Sequence, residues 1–239
     1  MEKWQVRVET LNLKNDIPWR SDAMESRHRP KVLIADDHKL VAEACKSLLE
    51  PEFNVVAIVG DGRTLLEAES QLHPDVVILD IAMPELNGLD AGEQIKHKNR
   101  STKLIYLTMA LAPDVAAEAF RRGASGYVLK QCNAEELLLA IRRVLRGESY
   151  LSPLITRDTV EFLLRSGTAY QEEKHISNRQ SEILQLLAEG KSMKEIAYVL
   201  HLKPGTVAFH KYRIMDILGI RTNAGLIEYA IRHHMISPQ

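Results

Sequence analysis

Five polar side chains carry most of the chemistry legible in this chain, and each ends a short apolar run. Asp36 and Asp37 follow KVLIA, Asp80 follows VVIL, Thr108 closes KLIYLT and Lys130 follows GYVL. Alone, a carboxylate after a strand reads as a turn former or helix cap. Three carboxylates gathered in one place repel, so a bound cation must balance them or their pKa values rise. Hard oxygen donors suit Mg²⁺, which favours one or two carboxylates with waters and a phosphoryl oxygen over a complete protein cage. One acid is then free to act as nucleophile toward phosphorus, while the ammonium group offsets charge on the transferred group. In this reading Asp80 is the phosphoacceptor, Asp36 and Asp37 hold the metal, Lys130 pairs with the phosphoryl group and Thr108 donates its hydroxyl to it.

The elements that must bring these residues together follow from the apolar pattern. Between positions 31 and 147, KVLIA, NVVAIVG, DVVILD, KLIYLT and GYVLK alternate with amphipathic stretches. Continuous rather than alternating apolarity implies strands covered on both faces, hence a parallel sheet between helices. The fold class is an α/β doubly wound, five-stranded parallel sheet in the flavodoxin-like order 2-1-3-4-5. In that order the carboxyl ends of the first, third, fourth and fifth strands are neighbours, and an open α/β sheet forms its crevice there. The last helix of this unit has Asn133 and Glu136 at its start, Leu137, Leu138, Ile141, Val144 and Leu145 on one face, and Gly147 at its end.

This unit spans 30–147. A linker covers 148–174 and an all-α tail covers 175–239. In the tail, Ser177 with Gln180 opens a first helix, Ser192 with Glu195 a second, Pro204 a third, and Asn223 precedes a fourth. The second and third are separated by HLK, the spacing of a helix-turn-helix. Residues 1–29 fit neither unit. They include a second methionine, Met24, and 1–23 read as an upstream extension, flexible or partly ordered by Trp4 and Trp19.

Charge separates the two units. From 174 to 239 there are nine Lys and Arg against five acids, or +4, so the remainder of a chain of net charge −1 carries −5. A basic, histidine-containing tail on an acidic body points to a polyanion partner. No apolar run approaches the roughly 20 residues of a membrane span and the first residues lack a secretory core, which predicts a cytoplasmic protein with no membrane partner. Cys45 and Cys132, both assigned to helices, read as small buried hydrophobes.

The blocks ADDH, DIAMPELNG, LTM and GYVLK resemble, in order and spacing, the signature of receiver domains in bacterial two-component response regulators. That resemblance implies phosphorylation of Asp80 by a sensor histidine kinase, with Mg²⁺ held by Asp37, Asp80 and a backbone carbonyl at Ala82. It also implies a switch in which Thr108 moves to the phosphoryl group and Tyr127 turns inward. Haloacid dehalogenase-like phosphatases also use a strand-end aspartate, but with a second aspartate two residues on as acid/base; that position is Ala82. A stored acyl phosphate, not catalytic turnover, is the reading this favours, and the chain is not read as an enzyme. The alternatives are a phosphoaspartate-dependent phosphatase, or a DNA-binding protein whose unphosphorylated receiver only contacts partners.

The tail, NRQSEILQLLAEGKSMKEIAYVLHLKPGTVAFHKYRIMDILGI, is similar to the LuxR-type DNA-binding domain of NarL/FixJ response regulators. At about 100° per residue the third helix turns Val207, His210, Ile214 and Leu218 inward, and presents Gly205, Ala208, Phe209, Tyr212 and Asp216 outward, toward the major groove of double-stranded promoter DNA. Lys191, Lys194, Lys203, Thr206, Lys211 and Arg213 are the candidates for phosphate contacts. Ala208 stands where relatives often carry a base-reading lysine, so one reading puts Ala208 or Phe209 in apolar contact with thymine methyls. A second reading has Phe209 and Tyr212 packed on the receiver. The last helix offers Ala224, Ile227 and Ile231 as a face for a homodimer on DNA, or for packing within the tail. The whole reads as a phosphorylation-controlled transcriptional response regulator.

Overall fold

The computed structural model describes residues 29–156, 159 and 176–236 of the 239-residue chain. Strands β1 (Lys31–Ala35), β2 (Asn54–Val59), β3 (Val76–Leu79), β4 (Lys103–Thr108) and β5 (Gly126–Leu129) alternate with helices α1 (Lys39–Leu49), α2 (Gly62–Leu72), α3 (Gly88–Lys98), α4 (Pro113–Arg121) and α5 (Ala134–Leu145). A short strand β6 (Tyr150–Leu151) follows. The tail contributes α6 (Asn178–Ala188), α7 (Met193–Val199), α8 (Pro204–Leu218) and α9 (Asn223–Arg232). The expectations for 1–23, including Trp4 and Trp19, and for most of the linker fall outside the described residues.

The sheet order is β2-β1-β3-β4-β5-β6, parallel at every pairing. Six strands therefore replace the five expected. The additional one lies inside the segment assigned to the linker, where Tyr150 pairs with Gly126 and Leu151 with Tyr127. Two residues are too few to give an apolar run or a period, so only tertiary pairing makes this a strand. Ile155 is also buried in the receiver core, which extends the unit past position 147.

Alternation along each strand divides the core between the two faces. Leu33, Val77, Leu79, Tyr106 and Leu129 pack with Leu65 of α2, Ile95 of α3 and Ala116 of α4. Val32, Ile34, Ile78, Ile105 and Val128 pack with Leu49 of α1 and with Leu137, Ile141 and Val144 of α5. Both faces being dry is what requires the strands to be apolar throughout. Helix starts are set by side chains: Asp61, Asn87, Asn133 and Thr222 each accept backbone N–H bonds in the first turn of α2, α3, α5 and α9. Ser177–Gln180 and Ser192–Glu195 form reciprocal capping boxes. The cap of α9 is thus Thr222, with Asn223 as its first helical residue, and Cys132 lies in the turn before α5, not in a helix.

The tail has its own core of Ile183, Leu184, Ile196, Val207, Ile214, Leu226 and Ala230. Its first helix also meets the receiver. Ser181 Oγ donates to Asp90 Oδ2 at 2.6 Å, Arg63 and Gln94 reach Glu182, and Gln185 inserts at the β3–α3 connection. In that connection, Gly88 brings the start of α3 against the backbone of β3: its N–H donates to Ile81 O at 2.8 Å, and a Cβ there would overlap the carbonyl of Asp80. Gly88→Ala is therefore expected to lower the urea midpoint of unfolding by the equivalent of about 1–3 kcal/mol through overpacking against backbone that cannot yield. An unchanged midpoint would show that α3 can shift freely at this contact.

Candidate functional site

Backbone pairing continues past the ends of the strands and fixes the polar residues. Asp36 N–H donates to Val59 O at 3.0 Å, Asp80 N–H to Ala35 O at 2.9 Å and Lys130 N–H to Thr108 O at 2.8 Å. The β1–β3 boundary, where chain direction through the sheet reverses, lies between Asp36 and Asp80. Oxygens of Asp36, Asp37 and Asp80, with a ring nitrogen of His38, fall within 4.8 Å of one another. Asp36 and Asp80 are buried, whereas Asp37 and His38 form the open side.

Lys130 holds the centre. Its Nζ lies 2.8 Å from Asp36 Oδ2 and 2.8 Å from Asp80 Oδ2. The other Asp80 oxygen, Oδ1, accepts the Ile81 N–H at 2.7 Å. Burial pushes the Asp80 carboxyl above its ordinary value of 3.8, and the Lys130 and Ile81 hydrogen bonds only partly oppose this. For Lys130 burial acts downward, but hydrogen bonds to Asp36 and Asp80 outweigh it and hold the ammonium above its usual range. The result is a desolvated pair of acids sharing one cation.

Thr108 and Tyr127 are both buried, and one residue joins them. Ala110 N–H donates to Thr108 Oγ1 at 3.2 Å, and Ala110 O accepts the Tyr127 hydroxyl at 2.8 Å. Tyr127 thus sits inward, its phenol pushed up by burial. Ala82 lies between two engaged carbonyls: Ile81 O accepts from Met83 and Gly88, and Met83 O accepts from Gln185 Nε2 at 2.8 Å. His38, which adjoins the acidic pair in ADDH, is a neighbour of the site that the sequence reading does not include. Its Nδ1 lies 2.9 Å from Asp37 Oδ1 and 3.3 Å from Asp36 Oδ1.

On the tail, Lys194, Lys203, Phe209, Tyr212 and Arg213 are exposed, while Lys191, Thr206 and Ala208 are partly so. Phe209 is 62% and Tyr212 65% exposed, so the reading in which they pack on the receiver does not hold; α6 makes that contact. Lys211 also departs from expectation. It is 9% exposed, one turn beyond Val207 on the inner row with Ile214, where its aliphatic stem serves packing better than a phosphate contact. Ala224, Ile227 and Ile231 are exposed, while Leu226 and Ala230 of the same helix are buried in the tail core.

No helix among the described residues is long and apolar enough to cross a membrane.

The burial of Asp80 gives a signed prediction. A folded-state pKa above the unfolded one means that the native state keeps a proton which the unfolded chain has lost, so stability falls as pH rises from 3.8 through the raised value. Asp80→Asn removes this cost and leaves Lys130 paired with Asp36. At pH 7 the variant is expected to be more stable than wild type by about 1 kcal/mol or more in urea unfolding, the gain shrinking as pH is lowered toward 3.8. A variant less stable than wild type at pH 7 would contradict the assignment of strain to this carboxylate.

Comparison with known proteins finds relatives for both parts of the chain. Residues 32–142 match the family "Response regulator receiver domain", and residues 174–230 match "Bacterial regulatory proteins, luxR family". The chain is 37% identical over 214 residues to the oxygen regulatory protein NreC of Staphylococcus aureus, covering 86% of this chain and 99% of that protein. Among solved structures, the RcsB response regulator of Salmonella typhimurium is 29% identical with TM-score 0.58, over 85% of this chain and 97% of that one. RcsB from Salmonella enterica serovar Typhimurium bound to promoter P1flhDC in the presence of phosphomimetic BeF3⁻ is also 29% identical, with TM-score 0.57, over 84% and 98% of the two chains. The protein belongs to the NarL/FixJ response regulators, DNA-binding transcription regulators that join a receiver domain to a LuxR-type helix-turn-helix.

Proposed function

We propose that Asp80 accepts a phosphoryl group from the phosphohistidine of a sensor kinase, and that this controls promoter binding by the tail in the cytoplasm. The observation that carries the reading is the single ammonium of Lys130 placed 2.8 Å from both Asp36 and Asp80. Asp80 supplies the attacking oxygen; a P–O bond forms as the P–N bond to the donor imidazole breaks, and the imidazole leaves with the electron pair. Lys130 then neutralises the phosphoryl oxygens from the position it already occupies.

The donor set suits a hard divalent cation. Asp36, Asp37 and Asp80 offer carboxylate oxygens in one cluster, and the Ala82 carbonyl follows two residues after Asp80. Mg²⁺ bound there would offset charge on the transferred group. Ala82 provides no acid or base to activate a water, so the acyl phosphate persists as a signal and not as a turnover intermediate.

Thr108 would donate its hydroxyl to the phosphoryl group. Its bond with Ala110 N–H, and the bond from Tyr127 to Ala110 O, give that movement a direct route to the aromatic side chain. On the tail, Lys194, Lys203, Arg213, Lys191 and Thr206 position α8 on DNA phosphates, while Ala208, Phe209 and Tyr212 face the bases. The exposed Ala224, Ile227 and Ile231 face of α9 would join two chains on a two-fold site. Support for a DNA-bound assembly comes from RcsB, solved on promoter DNA with a phosphomimetic.

Incubation with a phosphoramidate donor and Mg²⁺, followed by intact-mass measurement, is expected to add one phosphoryl group to wild type and none to Asp80→Asn. Affinity for duplexes selected from a random pool should rise about ten-fold or more with the label. Label persisting in the variant would place the nucleophile elsewhere.

A further inference from the structure

His38 is the one member of the acidic cluster that the phosphoacceptor chemistry leaves without a role. It occupies the N-cap of α1, the position from which Asp61, Asn87 and Asn133 turn a side-chain oxygen onto the helices they start, yet its own side chain makes no capping bond. The imidazole turns toward the carboxylates instead. Nδ1 lies 2.9 Å from Asp37 Oδ1 and 3.3 Å from Asp36 Oδ1, and with an oxygen of Asp80 these form a set of donor atoms all within 4.8 Å of one another.

The backbone sets this placement. The His38 N–H donates to Asp36 Oδ1 at 2.9 Å, which fixes the turn from β1 into α1 and keeps the imidazole beside both acids. Lys130 takes Asp36 Oδ2, so Oδ1 is the oxygen left on the side of His38 and Asp37. Among the described residues, Asp37 has no charged side chain beside it except His38. Donors bound at about 2.1 Å in an octahedron stand roughly 3 Å from their neighbours, and the two separations from Nδ1 are of that size. The His38 side chain is 60% exposed, so it borders the open side from which an ion would enter.

Oxygen donors alone suit Mg²⁺, whereas imidazole nitrogen suits first-row transition dications. We infer that His38 Nδ1 is a further protein donor at this cluster, making it a mixed nitrogen and oxygen site that selects a transition-metal dication of the Fe²⁺, Co²⁺, Ni²⁺ or Zn²⁺ kind over Mg²⁺. The inference rests on the reading of Asp36, Asp37 and Asp80 as a cation site and deepens it by naming the class of ion. Nδ1 offers its lone pair in the tautomer that carries the proton on Nε2, and solvent can accept that proton's hydrogen bond on the exposed side of the ring. Affinity for oxygen sites also varies between ions, so the mark of a nitrogen ligand is a change in the ratio of Co²⁺ to Mg²⁺ affinity when His38 is replaced.

Calorimetric titration of the full chain with Co²⁺ and, separately, with Mg²⁺ measures that ratio in wild type, His38→Ala and His38→Gln, with far-UV circular dichroism to check that each variant keeps its helices. Both variants are expected to bind Co²⁺ at least about ten-fold more weakly, the loss typical even of groups that only support a metal ligand, while Mg²⁺ affinity changes by less than about two-fold. In the proton spectrum, wild type with Co²⁺ is expected to show a hyperfine-shifted imidazole N–H resonance that both variants lack. A wild-type spectrum without that resonance, equal losses of Co²⁺ and Mg²⁺ affinity in the variants, or no loss of either, would overturn the inference alone, leaving His38 as a hydrogen-bond partner of Asp37. Wild type that binds neither ion, or binding that Asp37→Asn leaves unchanged, would overturn the cation reading of the cluster and this inference with it.

Discussion

A single ammonium group between two buried carboxylates sets the terms for the rest of the receiver. Lys130 reaches Asp36 and Asp80 at equal distance, and without it β1 and β3 would end in adjacent desolvated charges. Backbone pairing of Asp36, Asp80 and Lys130 with neighbouring strands keeps the three from moving apart to relieve the repulsion. The sheet therefore holds an imbalance of two acids against one base, and under the proposed function a divalent cation or a phosphoryl group would change that balance by entering it.

Much of that arrangement is legible in the sequence because the physics is local. Strand interiors dry on both faces must be apolar, so β1 to β5 are visible as runs, and any acid, hydroxyl or amine at their ends stands out. Caps are equally local: Ser177, Ser192 and Asn133 act on residues three positions away. What could not be read depends on tertiary partners. Strand β6 exists only because Tyr150 and Leu151 meet the edge of β5. Lys211 is a charged residue whose stem fills the inner row of α8, and a lysine in a basic helix gives no sign of that. The docking of α6 was invisible for the same reason: Ser181, Glu182, Gln185 and Glu189 read as an ordinary solvated face until Asp90, Met83 and Asn87 are placed opposite them.

The interface between α6 and the β3–α3 connection is polar. Its bonds are made by side-chain amides, a hydroxyl, the Arg63 guanidinium, carboxylates and backbone groups of the β3–α3 connection, all of which water can satisfy on separation, and the apolar cores of the two domains are separate clusters. An apolar seam of the same extent would oppose release more strongly. Asp90 shows how closely the seam is built into the receiver: the same carboxylate takes Ser181 from the tail, Asn87 from the start of α3 and Arg122 at 2.7 Å from the end of α4. One carboxylate therefore links α3, α6 and the end of α4.

The account stands on Lys130 as the balancing charge, and its most direct test is the unfolding free energy of Lys130→Met at pH 7, measured with and without saturating Mg²⁺. Two buried acids left without their shared cation predict a loss of about 3–5 kcal/mol in the absence of the divalent ion, largely recovered when it is added. A variant as stable as wild type without Mg²⁺, or one whose deficit the ion does not reduce, would contradict it.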